Sequence, residues 1–124
     1  ARLVLGQALL EDGTPEEAIE VLAPAVREMN SQPIGVQAGF LLAGAYEDAG
    51  RDEDAEDVFI RIGNAAELNF QVREALSGAA RLRLKAGNRE GAAELFEDII
   101  STYEAEDPDR GFWEMRLAEV SDRP

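Results

Sequence analysis

The sequence predicts an all-α solenoid of antiparallel helix pairs, about seven helices in total, and three observations carry that prediction. First, a turn running into a helix recurs at a single spacing. Gly13, Gly50 and Gly87 are 37 residues apart, as are Ala18, Ala55 and Ala92, and Leu22, Phe59 and Phe96. Second, the segments between these glycines place apolar residues at i, i+3, i+4 and i+7. Third, 45% of the 124 residues are hydrophobic, too many for a disordered chain. Fixed-period similarity marks units that bury their apolar faces against their neighbours, an architecture whose class of activity is binding.

Each element follows from its residues. Residues 1–12 read as a helix with Leu3, Leu5, Leu9 and Leu10 toward a core, ended by Gly13. Thr14, Pro15 and Glu17 form the pattern of a capping box with proline at the first helical position. The second helix carries Ala18, Ile19, Leu22 and Val26, and Pro24 inside it predicts a kink near Glu20 to Pro24. A turn is expected over Asn30-Ser31-Gln32-Pro33. It leads into a third helix ending at Ala49, with Phe40, Leu41, Leu42, Ala45 and Tyr46 as its apolar content. Gly35, Gly39 and Gly44 in that helix each weaken it by about 1 kcal/mol relative to Ala, so something packs close: a neighbouring helix or a ligand chain. The fourth helix spans Asp52 to about Asn64, with Ala55, Val58, Phe59 and Ile62 inward.

A fifth helix runs from about Phe70 to Ala86. Asn88 is the expected N-cap of a sixth that reaches about Tyr103 and buries Ala92, Leu95, Phe96 and Ile99. Asp107 and Pro108 begin a last helix to about Val120, whose Trp113, Leu117 and Val120 share a face. Trp113 lies 37 residues after Leu76, so this helix opens a fourth, unfinished repeat and is expected to cap the core. The chain therefore reads as one domain over residues 1–124, with repeats of about 1–32, 33–69 and 70–106 and a capping helix of about 108–121.

Paired helices with Gly at the turn, then a small Ala and a large apolar residue four later, resemble the tetratricopeptide repeat. Repeat one supplies Leu5-Gly6, Leu9, Gly13, Ala18, Leu22 and Ala25. Repeat two supplies Leu42-Ala43, Tyr46, Gly50, Ala55, Phe59 and Ile62. Repeat three supplies Leu76, Ala79-Ala80, Arg83, Gly87, Ala92, Phe96 and Ile99. The chain departs from the family in its period of 37 rather than about 34. It also has Asn30, Glu67 and Glu104 where the family has a closing proline, and Arg83 where it has an aromatic.

Composition narrows the function. The net charge of −14 argues against nucleic-acid backbones and anionic membrane surfaces. Eleven of the twelve basic residues are Arg, with Lys85 the exception, most plainly a matter of genome composition and an acidic, salt-adapted surface. The longest apolar run, Ala38 to Tyr46, has nine residues against the roughly 20 of a membrane span. No signal peptide is visible, and the chain opens directly in helical pattern, as if cut from a longer protein. The compartment stays open between the cytoplasmic and periplasmic sides of a bacterial cell.

With no His and no Cys, the usual zinc sites and thiol chemistry are excluded, and no serine has an imidazole base. The acidic runs from Asp52 and Asp107 fail as calcium loops, because Asp57 and Phe112 occupy the sixth position that must be Gly. Enzymatic activity, metals and cofactors are therefore not expected.

The resemblance implies that the first helices of successive repeats line a concave groove. The groove residues on that mapping are Gln7, Gln37, Phe40, Gly44, Ser77, Arg81 and Lys85. Residues 52–64 and 89–104 each carry a net charge of −4, whereas 70–86 carry +3. Arg81 and Lys85 share a face, and they either meet an acidic group of a partner or pair with acids of neighbouring helices. The carboxylate clamp of one subgroup of the family is absent as a set, since Leu3, Gln7 and Leu41 stand at its positions. The resulting expectation is a non-enzymatic module binding a peptide or helix of another protein in its groove. The alternative is a structural or oligomerisation spacer within a larger bacterial envelope or assembly protein, including a homo-oligomer.

Overall fold

Seven helices follow one another in the computed structural model, which describes residues 2–27 and 33–121. They are α1 (Arg2–Glu11), α2 (Pro15–Arg27), α3 (Pro33–Asp48), α4 (Asp52–Ala65), α5 (Asn69–Lys85), α6 (Arg89–Ile100) and α7 (Arg110–Ser121). No strand occurs among the described residues. Each helix packs mainly on the next, and α1 also touches α3.

The recurring glycine makes the turns. Gly13, Gly50 and Gly87 have φ of 78°, 76° and 83°, the left-handed conformation that ends helices at low steric cost only with glycine. Around each, two crossed bonds close the preceding helix: Thr14 N donates to Leu9 O at 2.9 Å and Gly13 N to Leu10 O at 3.1 Å. Arg51 with Gly50, and Asn88 with Gly87, repeat the pattern. One consequence corrects the expected capping box. The Thr14 amide is already used by Leu9 O, and the Thr14 hydroxyl donates to the same carbonyl at 2.8 Å. Nothing is left for Glu17 to satisfy. Asn88 does cap α6, accepting from Gly91 N at 2.9 Å.

Two helix ends differ from expectation. The sixth helix stops at Ile100, short of Tyr103, because Ser101 and Thr102 donate their hydroxyls to Asp98 O and Ile99 O, both at 2.6 Å. Short polar side chains compete for the carbonyls of a last turn. The last helix starts at Arg110, after Asp107 accepts from Asp109 N at 2.9 Å in a side-chain turn. Pro33 opens α3 as its first residue, and the rest of the turn expected at Asn30 to Gln32 lies outside the described residues. Pro24 lies within α2, which continues to Arg27.

The core is the predicted one. Ala18, Ala55 and Ala92 are fully buried, and Leu22, Phe59 and Phe96 are buried beside them. In α1 the inward residues are Leu3, Leu9 and Leu10, while Leu5 is half exposed and Gly6 is buried in its place. A Cβ on Gly6 would lie 2.6 Å from Leu22 Cγ, so the glycine lets α2 approach. Gly78 lies against the Phe59 ring in the same way, with Cζ 2.8 Å from where its Cβ would stand. Gly44 differs, since a Cβ there meets nothing within 4 Å.

Candidate functional site

The expected site residues fall into two groups. Ser77 and Arg81 line an open groove between α5 and α7, whose remaining walls are Leu84, Phe96, Phe112, Trp113, Met115, Arg116 and Glu119. The groove has a volume of about 590 Å³, within the range of a small-ligand or side-chain pocket. Gln7 and Gln37 are exposed on α1 and α3, outside that groove. Phe40 is half buried, with its ring 6.3 Å from that of Phe59, and Gly44 faces open space. Lys85 sits at the end of α5 near the start of α4.

Both cations reach solvent, the Arg81 side chain at 56% exposure and that of Lys85 at 68%. Of the two alternatives left open by the sequence, pairing with acids of neighbouring helices is the one found for both. Arg81 donates through both terminal nitrogens to the carboxylate of Glu47, at 2.8 and 2.9 Å. Lys85 Nζ lies 2.8 Å from Asp52 Oδ2. Arg83 is largely covered, 3.5 Å from Glu56 Oε2, and donates to Gly91 O at 2.8 Å. The +3 of α5 thus answers acids on α3 and α4, and the fork-on-carboxylate geometry at Glu47 is the strongest form of such a pair. That hydrogen bond outweighs the opposing effect of burial and, with a smaller attraction to Glu47 and Asp52, raises the Arg81 pKa above its ordinary value.

The α7 wall is held by polar contacts from three directions. Arg73 donates to Thr102 Oγ1 at 2.7 Å and to Thr102 O at 2.9 Å, with its guanidinium 3.6 Å from the Tyr103 ring centroid. Trp113 Nε1 donates to the Tyr103 hydroxyl at 3.1 Å, and Arg110 donates to Tyr103 O at 3.3 Å. Arg89 donates to Glu119 O and Val120 O, both at 3.2 Å. Arginine at a helix C-terminus satisfies carbonyls that have no partner within the helix and complements the dipole. Trp113 is only half buried, packing on Phe96 at 6.0 Å between ring centroids and on Phe112 at 5.1 Å.

Phe112 and Met115 were not among the expected site residues, yet each is half exposed, at 52% and 53%, on the groove wall. Arg116 and Glu119 complete that wall and pair with each other at 3.4 Å. A signal for them was present in the 37-residue register, which aligns Phe112 with Ala75 and Met115 with Gly78. Large residues there stand where the preceding repeat has small ones. Among the described residues, no group of three or more acids could hold a metal ion, and no helix is long and apolar enough to cross a membrane.

The tetratricopeptide repeat family model matches residues 74–104, which span most of α5, all of α6 and the start of the following linker. Two crystal structures of nearly identical TPR-like repeats, named for a kinesin light chain of Podosopora anserina, are similar over 96% of this chain. Their identities are 21% and 22%, with TM-scores of 0.63 and 0.60. This chain spans 63% of the length of either. No curated protein matches. The resemblance to the tetratricopeptide repeat therefore holds, and the fold is a TPR-like α-solenoid. Such repeats generally mediate protein–protein interaction.

Proposed function

We propose that the chain is a single non-enzymatic interaction module of three helix pairs closed by α7, and that it binds a peptide or helix segment of another protein along its first helices. The observation that supports this most is the groove between α5 and α7, where Phe112 and Met115 are half exposed beside Ser77, Arg81 and Leu84. Apolar side chains held open to solvent on a rigid helix are the usual anchors of a protein-recognition surface. Gln7, Gln37, Phe40 and Gly44 would continue the contact along α1 and α3. At Gly44 a partner backbone can approach, because no atom of the chain occupies the space before it. Arg81 would act through the carboxylate it already holds, and Lys85 would sit at the margin.

The test is selection of binding peptides from a random display library, followed by NMR mapping of the contact. Shifts at Ser77, Leu84, Phe112 and Met115 are expected. A selection that yields no binder, or shifts confined to the exposed faces of α2, α4 and α6, would refute the reading. Sedimentation over a dilution series separates it from the oligomerisation form of the spacer alternative, in which mass rises with concentration.

A further inference from the structure

One face of α7 differs from the same face of the helices before it. In α5 the positions Ala75, Gly78, Ala79 and Leu82 run at i, i+3, i+4 and i+7. Ala75, Ala79 and Leu82 are buried and Gly78 lies on the Phe59 ring. In α3 the equivalent positions are Ala38, Leu41, Leu42 and Ala45, buried or partly buried. Thirty-seven residues after those of α5 stand Phe112, Met115, Arg116 and Glu119, and all four line the groove. Phe96 is the repeat equivalent of Phe59. A single Cβ at Gly78 would already press on the Phe59 ring at 2.8 Å, so a helix carrying Met115 there cannot lie on Phe96 as closely. The α7 wall of the groove is thus made by four side chains that differ from their α5 counterparts, two of them apolar and two charged.

The charges of the groove are already balanced. Arg81 holds Glu47 through two hydrogen bonds, and Arg116 holds Glu119 while standing 5.5 Å over the Phe96 ring. An acidic partner would be repelled by a chain of net charge −14 and would have to displace Glu47 to reach Arg81. A basic partner is attracted at long range and can share Glu119, whose side chain is 54% exposed and held by Arg116 through one contact of 3.4 Å rather than the two shorter bonds that tie Arg81 to Glu47.

We propose, resting on the interaction reading above, that the α5–α7 groove takes the bulky apolar side chains of a partner segment that carries Lys or Arg beside them. The apolar anchors lie against Phe112 and Met115, whose flexible thioether adapts to their shape. The basic residues of the segment meet Glu119 and the surrounding acidic surface.

Two synthetic helical peptides with identical Leu and Phe anchors, one with Lys and one with Glu at every remaining charged position, provide the test by fluorescence anisotropy. The Lys peptide is expected to bind about tenfold tighter or more at low salt, with an advantage that shrinks as salt screens it. Quenching or shift of Trp113 emission should accompany binding. The double change Phe112→Ala with Met115→Gly, which installs the residues of α5, should abolish the binding. Met115→Gln, with helicity checked by circular dichroism, serves if the double variant does not fold. Equal or tighter binding of the Glu peptide overturns the inference and leaves the interaction reading intact. So does binding of the Lys peptide that neither variant weakens. Absence of binding by both peptides up to about 1 mM overturns the inference, whereas failure of the interaction reading shows separately as a library that yields no binder. Self-association that the Met115 variants abolish would make the occupant a second copy and overturn it as well.

Discussion

Gly44 and Gly78 sit in the interiors of α3 and α5, and the structure gives them opposite roles. Changing either to Ala adds about 1 kcal/mol of helix propensity. At Gly44 nothing within 4 Å opposes the new methyl group, so Gly44→Ala should stabilise the protein by about that amount. At Gly78 the methyl would lie 2.8 to 2.9 Å from three atoms of the Phe59 ring, which is buried and has little room to retreat. Overpacking of this kind costs about 1–3 kcal/mol. The propensity gain is common to both variants and cancels between them, so their difference isolates the clash. With unfolding entropy of about 2.1 cal/mol/K per residue over 124 residues, each kcal/mol shifts Tm by roughly 4 °C. Gly44→Ala should melt about 4 °C above the parent, and Gly78→Ala about 4–12 °C below Gly44→Ala. Thermal unfolding followed by far-UV circular dichroism measures both. Coincident melting curves would mean that Phe59 yields freely and that α5 does not need glycine where it meets α4.

Three other outcomes are expected. Ala55→Leu forces three carbons into a fully buried site in α4 and should lower stability by about 1–3 kcal/mol; an unchanged urea midpoint would contradict the packing described. Tyr103→Phe removes the acceptor of Trp113 Nε1 and should cost about 0.5–1.5 kcal/mol with a shift in Trp emission, so unaltered emission and Tm would show that the bond is immaterial. Deleting residues 108–124 removes the Trp113 ring from Phe96 and should promote aggregation detectable by light scattering, whereas an equally stable monomer would make α7 an appendage.

The architecture was legible because it rests on periodic, local signals. Glycine at three equivalent turns and alanine at three equivalent crossings are steric necessities, and the structure uses them as such. Helix ends were less legible, since they depend on competition between hydrogen bonds. Thr14 has the residue type of an N-cap, yet its hydroxyl turns back to donate to Leu9 O of the preceding helix. Ser101 and Thr102 ended α6 by taking carbonyls, a choice that helical periodicity does not encode. For the groove, charge counting found the basic segment of α5 but not its partners. Glu47, Asp52 and Glu56 precede Arg81, Lys85 and Arg83 by 34, 33 and 27 residues, and only the fold brings them together. Phe112 adjoins Trp113, which packs on Phe96, and helical periodicity alone does not tell the exposed member of that pair from the packed one.

The same ion pairs explain how so acidic a chain coheres. Among the described residues, nine basic side chains, Arg51, Arg61, Arg73, Arg81, Arg83, Lys85, Arg89, Arg110 and Arg116, have internal acidic or carbonyl partners. Five of the arginines donate to main-chain carbonyls of another element: Arg61 to Arg27 O, Arg73 to Thr102 O, Arg83 to Gly91 O, Arg89 to Glu119 O and Val120 O, and Arg110 to Tyr103 O. The planar fork of Arg can hold two acceptors in fixed geometry, as at Arg89 and Arg73, where the single ammonium of Lys would not hold the same arrangement. This gives the excess of Arg over Lys a structural role beyond genome composition. It also fixes the sign of the exterior. Cations engaged in binding one helix to the next leave the excess carboxylates facing solvent, so the feature that joins the repeats is also the one that leaves the surface acidic.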